Sequence, residues 1–314
     1  MREAPVFIVL NPGSGRGDTE RRRVAVQHVL EEADRQYELF VVDDLRQLPT
    51  MAQRAVELAQ RQQGIVVAAG GDGTINTVAQ AVLKSGQPFG VLPQGTFNYF
   101  SRTYGIPTDI TEATRVTLNG TVRPVQVGLV NDRVFLVNAS LGLYPQLLED
   151  REAYKKQFGR SRLVAVWAGL RTILRGYSPL VIQLEHEDKA QVVRTPTLVV
   201  DNNVLQLTEL GIAEASALQQ GQLVAITLQP VGTLAMLGLL LRGALGQLGE
   251  AETVLSFAFK RLTVRLRHSY GRRRLKVAMD GEVTWLSMPL VFEVAPTPLL
   301  LLVPTLDAAR ADQA

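Results

Sequence analysis

The sequence lacks the residues and segments that form disulfides, thiolate metal sites and membrane spans. None of its 314 residues is a cysteine, which excludes disulfide bonds and cysteine-bound metals. The three histidines, His28, His186 and His268, are scattered without the spacing of metal ligands, and we expect surface or packing roles for them. The longest apolar segment, residues 231–249, is interrupted by Arg242 and by glycines, so we do not expect it to cross a membrane.

What remains is the composition of a globular protein. Hydrophobic residues make up 46% of the chain and charged residues 20%, which is enough apolar material for packed cores. A chain of this length is expected to form two domains. The apolar run near the N-terminus is too short for a secretory signal. Without a candidate span or signal, we expect a soluble cytoplasmic protein with at most peripheral membrane contact. The net charge of +3 is a mild basic excess, so the distribution of charge matters more than its sum.

The first part of the sequence alternates short apolar runs with amphipathic segments. Residues 6–10, 65–70 and 89–93 resemble strands, while TERRRVAVQHVLEEA and PTMAQRAVELAQRQQ have helical spacing. This alternation is typical of βαβ units, which form a parallel sheet covered by helices on both faces. In such sheets ligands bind at the carboxyl ends of the strands.

After about residue 122 the pattern changes to strand-like runs separated by turns. PVQVGLVNDRVFLVNASLG contains two such runs around the turn NDR, and further runs continue to PLVFEVAPTPLLLLVP. This part is predicted to be an antiparallel β-sandwich. Two helical stretches are expected to interrupt it, near residues 147–176 and 232–248.

Three glycine-containing loops follow strands of the first part, namely NPGSG (11–15), GGDGT (70–74) and PQGTFN (93–98). Glycine lets the backbone approach a ligand, and amides at a helix N-terminus bind phosphate. Asp72 would repel a phosphate, so we expect it to contact a ribose or adenine group or a metal ion. One such loop fits a capped turn equally well, but three at successive strand ends favour a nucleotide site.

The order and spacing of four motifs resemble the diacylglycerol kinase catalytic family. NPGSG, GGDGTIN, GVLPQGTFNYFSR and VAMDGE occur as in its bacterial soluble lipid kinases, relatives of sphingosine and ceramide kinases and more remotely of NAD kinases. The resemblance implies a Rossmann-like α/β domain with a parallel sheet over residues 1–124 and an antiparallel β-sandwich domain over residues 125–314, with packing of its last strand back on the first domain left open. It also implies an ATP cleft enclosed by the two domains, where a lipid hydroxyl is phosphorylated with Mg²⁺ as cofactor.

The resemblance transfers roles to individual residues. The positions that correspond to the family's nucleotide loops are Asn11, Ser14, Gly15, Gly70, Gly71, Asp72, Gly73, Thr74, Asn76, Gly95, Thr96 and Asn98. Asp72 is also the candidate metal ligand. Asp280 and Glu282 of the DGE motif are the candidate catalytic residues, brought from the second domain.

The sequence departs from the family pattern at three positions. Thr77 and Tyr99 stand where a glutamate and an aspartate are common, and Gln220 stands where an aspartate helps to hold a structural magnesium. These changes leave open a non-catalytic protein that binds lipid or nucleotide. A soluble-substrate kinase of the NAD kinase type, which shares GGDGT, is the other alternative.

The DGE motif can supply the acid–base chemistry of phosphoryl transfer. Strand alternation in LKVAMDGE turns Leu275, Val277 and Met279 to one face and Asp280 to the other. A carboxylate that reaches the acceptor hydroxyl can take its proton. Asp-Gly is also a common hairpin turn, and the sequence does not distinguish Asp280 from Glu282 as the base.

Two basic stretches bear on the partners. Residues 155–175 contain six basic and no acidic residues and include Trp167, which suits an anionic membrane surface as well as a packed helix. Residues 260–276 contain eight basic residues, arranged as on a solvated strand face. We expect a lipid substrate and peripheral contact with the inner membrane surface, and no nucleic acid, because stacking aromatics are not interleaved. A homodimer is left open.

Overall fold

The computed structural model describes residues 4–14, 19–158, 178–187, 189–267 and 274–305. The chain divides into two compact units. The first unit comprises residues 1–127 and 295–314, and the second comprises residues 128–294. The basic segment with Trp167 lies largely outside the described residues.

The first unit is built on a six-stranded sheet in the order β2-β1-β3-β4-β18-β5. Its strands are β1 (Val6–Leu10), β2 (Tyr37–Val41), β3 (Ile65–Gly70), β4 (Phe89–Pro93), β5 (Thr121–Val125) and β18 (Leu299–Val303). Its helices are α1 (Thr19–Glu32), α2 (Leu48–Gln62), α3 (Asp72–Val82), α4 (Tyr99–Thr103) and α5 (Ile110–Asn119), with a 3₁₀ turn at Leu45–Gln47. The strands β1 to β4 pair in parallel, which confirms the predicted parallel sheet.

The C-terminal strand β18 completes this sheet. It pairs in parallel with β4 and antiparallel with β5. The residues of β1, β3 and β4 are all buried, as expected of central strands covered on both faces by helices. Local signals set the helix ends: α2 has Pro49 in its first turn and ends at Gln63, whose φ of 52° is left-handed.

The second unit consists of two six-stranded antiparallel sheets. One has the order β10-β9-β14-β17-β6-β7 and the other the order β13-β12-β11-β8-β15-β16. The strands are β6 (Gly128–Val130), β7 (Arg133–Phe135), β8 (Asn138–Gly142), β9 (Leu180–His186), β10 (Lys189–Thr195), β11 (Thr197–Asp201), β12 (Leu223–Leu228), β13 (Val254–Phe259), β14 (Arg261–Leu266), β15 (Arg274–Met279), β16 (Glu282–Ser287) and β17 (Leu290–Val294).

One hydrophobic core lies between these sheets. Phe135, Phe292 and Val264 come from the first sheet, and Leu141 and Phe259 from the second; all five are fully buried. Two apolar faces that pack on each other in this way form a sandwich. The predicted β-sandwich is therefore confirmed.

The described residues of the second unit also form three α-helices, and the one at Val204–Glu209 lies outside the two predicted helical stretches. They are α6 (Leu143–Phe158), α7 (Val204–Glu209) and α8 (Thr233–Ala244), with 3₁₀ segments at Ala213–Gln220 and Leu248–Glu250. The rest of the first predicted stretch, residues 159–176, falls outside the described part of the chain. Within the described residues, no helix combines the length and the apolar character needed to span a bilayer.

Candidate active site

The three glycine-containing loops lie side by side at one edge of the first unit's sheet. Strands β1, β3 and β4 are parallel neighbours, with Leu10 paired to Ala69 and Gly70 paired to Pro93. Their carboxyl ends therefore coincide, and residues 11–14, 71–74 and 94–98 follow from the same edge. The sequence prediction that these segments meet is correct for the residues described, while Gly15 lies outside them.

Hydrogen bonds tie the loops together. Asn11 Nδ2 donates to Thr74 Oγ1 at 2.9 Å, and both residues are buried. The Gln94 backbone N–H donates to the Gly70 carbonyl at 2.8 Å. The hydrogen bond between the Asn11 and Thr74 side chains thus sets the spacing between the loop after β1 and the loop after β3.

Two glycines are required by close approach. A Cβ on Gly70 would lie 2.6 Å from Thr74 Cβ, and a Cβ on Gly95 would lie 2.6 Å from Asn98 Oδ1. Gly71 differs, because a Cβ there would meet nothing nearer than Gly95 Cα at 3.8 Å. Gly71 is the N-cap of α3, and because it has no side chain it does not cap the first amides of the helix itself.

Two buried acceptors beside this helix start have no partner among the described residues. They are Asp72 Oδ1 and Asn98 Oδ1. Burial raises the pKa of the Asp72 carboxyl, while the backbone N–H groups of Asn98 and of Asp72 itself lower it. Asn98 has a left-handed φ of 49°, and its Nδ2 donates to the Gly95 carbonyl at 3.1 Å. An unpaired buried polar group typically lowers stability by about 1–3 kcal/mol. We therefore expect a ligand to supply a hydrogen-bond donor or a cation to both oxygens.

The residues present fit a magnesium ion that is shared with a nucleotide. The described residues contain no group of three or more acidic or histidine side chains that could hold a metal alone. Mg²⁺ commonly takes one or two protein carboxylates and completes its shell with waters and substrate phosphates. The unpartnered oxygen of Asp72 suits such a ligand set.

The other predicted loop residues have less distinctive surroundings. Gly73 and Asn76 lie in the first turns of α3, and Thr96 is exposed. Thr77, which replaces the family's glutamate, donates from its hydroxyl to the Gly73 carbonyl at 2.9 Å within the helix. Gln220 ends a 3₁₀ segment and is exposed.

Sequence reasoning missed Arg22 at this edge. Its Nη1 donates to the Ser14 carbonyl at 2.8 Å and to Gln94 Oε1 at 3.4 Å, so the guanidinium joins the loops after β1 and β4. The signal was present as a run of three arginines near the start of α1. Which of the three reaches the loops depends on where the helix begins, and the sequence does not fix that position.

The candidate catalytic residues lie in the second unit, at the turn between β15 and β16. Asp280 and Gly281 have φ values of 47° and 88°, so the DG pair does form a tight hairpin turn. The Asp280 carboxylate also accepts three backbone N–H groups: Leu136 at 2.7 Å, Val137 at 2.8 Å and Asn138 at 3.1 Å. The turn is therefore bound to the segment before β8 through this side chain.

A buried carboxyl group that the sequence did not single out lies on β11, the strand next to β8. Asp201 is 1% exposed and pairs in the ladder with Asn138, which contacts Asp280. Its Oδ1 accepts the Asn203 N–H at 2.7 Å, and its Oδ2 has no partner among the described residues. Burial raises the pKa of Asp201 well above its usual value, the Asn203 N–H opposes this, and the charge of Asp280 adds to it.

Glu282 has a different environment from Asp280. It is the first residue of β16 and is exposed. Desolvation by the surrounding protein nevertheless raises its pKa. The two carboxyl groups of the DGE motif thus differ. Three backbone amides hold the Asp280 carboxylate, whereas the Glu282 carboxyl is exposed to solvent.

Comparison with known proteins agrees with this architecture. Residues 5–130 match the family described as diacylglycerol kinase catalytic domain. A diacylglycerol kinase of Bacillus subtilis is 31% identical over 185 residues, covering 58% of this chain and 59% of the relative. One from Staphylococcus saprophyticus is 33% identical over 142 residues, covering 45% and 46%. The chain thus spans about half the length of the curated relatives it matches.

The likeness to solved structures extends further along the chain. The crystal structure of a diacylglycerol kinase from Bacillus anthracis superposes with a TM-score of 0.72 at 18% identity, covering 96% of this chain and 98% of that one. The fold of the chain is therefore similar to the fold of that protein. Residues 5–130 are thus similar to the diacylglycerol kinase catalytic domain.

Proposed function

We propose that the protein is an ATP-dependent lipid kinase, which transfers the γ-phosphate of ATP to the hydroxyl group of a diacylglycerol-like lipid. The observation that carries the proposal is the pair of unpartnered acceptors, Asp72 Oδ1 and Asn98 Oδ1, beside the start of α3, where the N-cap residue Gly71 has no side chain. A nucleotide offers both hydroxyl donors and anionic phosphates, which are the groups that such a site requires. The names of the relatives favour a diacylglycerol-like acceptor.

In this proposal the first unit holds the nucleotide. The open space at Gly71 leaves room for a phosphate next to the backbone, and the first amides of α3 are available to bind it. Asp72 would accept a ribose hydroxyl or hold Mg²⁺. Magnesium bound with the nucleotide would neutralise phosphate charge during transfer.

The second unit would supply the acid–base groups. A base works best when its pKa is near the working pH. Glu282, whose pKa is raised and whose side chain is exposed, is the better candidate to take the hydroxyl proton. Asp280, held by three amides, would orient the turn and the acceptor.

A membrane-borne acceptor fits the surface of α8. Leu234, Leu241 and Leu245 on this helix and just after it are 84%, 63% and 63% exposed, while Met236 and Leu239 pack inward. Exposed leucines at these spacings suit contact with a lipid surface at the inner face of the membrane. The basic strand β14 suits it less, since it pairs Arg261 with Glu293 and Arg265 with Glu185.

Labelled ATP tests the proposal directly. Purified protein is incubated with γ-labelled ATP, Mg²⁺ and separate acceptors: diacylglycerol, ceramide, sphingosine, phosphatidylglycerol and NAD. We expect label in phosphatidic acid, and its loss in Asp72→Ala with the fold intact by circular dichroism.

The other outcomes are equally specific. Label in NADP would identify a kinase of the NAD kinase type. ATP binding without a labelled product from any acceptor would indicate a non-catalytic binding protein. Full turnover in Asp72→Ala would show that the GGDGT loop does not have the proposed role in nucleotide binding.

A further inference from the structure

Gln94, the first residue after β4, carries a buried hydrogen-bond donor at the edge of the sheet where the three glycine-containing loops meet. The residue is 8% exposed, and its backbone N–H donates to the Gly70 carbonyl at 2.8 Å. Its side-chain Nε2 has no partner within the described part of the chain. Since buried polar atoms are nearly always hydrogen-bonded, this nitrogen is suited to an acceptor that a ligand brings.

The contacts of the Gln94 side chain fix the direction of its amide group. Arg22 Nη1 lies 3.4 Å from Gln94 Oε1 and 2.8 Å from the Ser14 carbonyl oxygen. A guanidinium group only donates hydrogen bonds, so the amide turns its oxygen towards Arg22 and its nitrogen away from it. The side chain of Gln94 therefore lies near the loop after β1, and its donor points away from the arginine.

The unpartnered side-chain atoms of these loops differ in polarity. Asp72 Oδ1 and Asn98 Oδ1 are acceptors, whereas Gln94 Nε2 is a donor. The two acceptors suit hydroxyl groups or a magnesium ion, and the donor suits an anionic oxygen. A nucleotide carries hydroxyl groups and anionic oxygens together, so one ligand could satisfy all three atoms.

There is open space beside Gly95, the residue that follows Gln94. A Cβ on Gly71 would meet Gly95 Cα at 3.8 Å and Ser14 Oγ at 3.9 Å, and nothing nearer among the described atoms. A phosphate group in this space would lie between the loop after β1 and the loop after β4, which are the two loops that the side chain of Gln94 adjoins.

We propose that Gln94 Nε2 donates a hydrogen bond to a phosphate oxygen of the nucleotide, a role that rests on the proposed kinase function. A hydrogen bond from an amide to a charged oxygen is stronger than one between two neutral groups. The Gly70 carbonyl holds the backbone of Gln94, and Arg22 holds its side-chain oxygen. The donor is thus positioned before the nucleotide binds, and it determines where the phosphate chain lies.

Two substitutions of Gln94 test the donor. Gln94→Met keeps the length of the side chain and removes the donor, whereas Gln94→Glu keeps the shape and replaces the donor by a carboxylate oxygen. Affinities for adenosine, ADP and ATP are measured by calorimetry on the full chain at constant Mg²⁺. We expect ATP to bind about 10- to 100-fold more weakly to Gln94→Met, and more weakly still to Gln94→Glu, with the affinity for adenosine almost unchanged.

Gln62→Glu is the matched control for the added charge. Gln62 is exposed and is the last residue of α2, so it lies near the start of β3, whereas the GGDGT loop follows the end of that strand. We expect its ATP affinity to stay within about twofold of the parent, because an exposed charge at a distance is screened. The affinity for adenosine reports whether each variant keeps the nucleoside site.

Three results would overturn the inference. If Gln94→Met binds ATP as tightly as the parent, Gln94 donates no hydrogen bond to the phosphates, whatever Gln94→Glu does, and the kinase proposal is untouched. Equal losses for adenosine and ATP would show that Gln94 only supports the loops. If the parent binds no nucleotide, the inference falls together with the proposed function.

Discussion

Replacing Asp280 by asparagine should separate the structural from the chemical part of the DGE motif. The Asp280 carboxylate accepts the N–H groups of Leu136, Val137 and Asn138, which lie 2.7, 2.8 and 3.1 Å away. Both its oxygens are used. An asparagine keeps one oxygen and turns an NH₂ group towards the remaining N–H, so at least one buried amide loses its acceptor.

The size of the expected loss in the free energy of unfolding follows from the burial of these amides. Leu136 and Val137 are 3% and 6% exposed, so water does not easily replace the lost acceptor. An unsatisfied buried donor costs about 1–3 kcal/mol, and the free energy of unfolding should fall by that amount. For a domain of this size the melting temperature changes by about 2–4 °C per kcal/mol.

Glu282→Gln is the matched control. Glu282 is exposed, so its replacement should change stability by less than about 0.5 kcal/mol, while the loss of a general base should lower turnover about 10²- to 10⁴-fold. Urea unfolding and steady-state kinetics are measured on both variants. If Asp280→Asn is as stable as the parent, the three amides do not depend on the carboxylate. If Glu282→Gln keeps full turnover, Glu282 does not take the proton.

Three further substitutions test one buried carboxyl group in the second unit and two loop glycines in the first. Burial raises the pKa of Asp201 in the folded protein, whereas the unfolded form ionises near about pH 4. Stability should therefore fall as the pH rises from about 4 towards the raised pKa of the folded form, by up to about 1.4 kcal/mol per pH unit. Asp201→Asn should remove this slope in unfolding titrations, and an unchanged slope would contradict the assignment. Gly71→Ala should weaken ATP binding but keep the parent's melting temperature, because the added Cβ meets no atom nearer than 3.8 Å. Gly95→Ala should weaken ATP binding and also lower the melting temperature, because its Cβ would lie 2.6 Å from Asn98 Oδ1. Equal melting temperatures for the two glycine variants would show that the loops adjust freely.

The sequence by itself determined the features that rest on local pattern. Alternating apolar and amphipathic segments predicted the parallel sheet, because burial on both faces leaves continuous apolar strands such as β3. The glycine loops could be aligned at one edge because parallel neighbours end on the same side. Pro49 and the glycine after Gln63 marked the bounds of α2, since their backbone preferences act within a few residues.

Only the tertiary structure decided which side chains meet across long separations. Arg22 contacts Gln94 because the rotation of α1 about its own axis turns this arginine towards the sheet. Asp201 became notable because strand register sets it beside Asn138 and the Asp280 turn, and a one-residue shift would turn its carboxyl to the other face. Periodicity in a sequence shows which face of an element is buried. It does not show which residue of another element lies against that face, because this depends on register and packing summed over the whole chain.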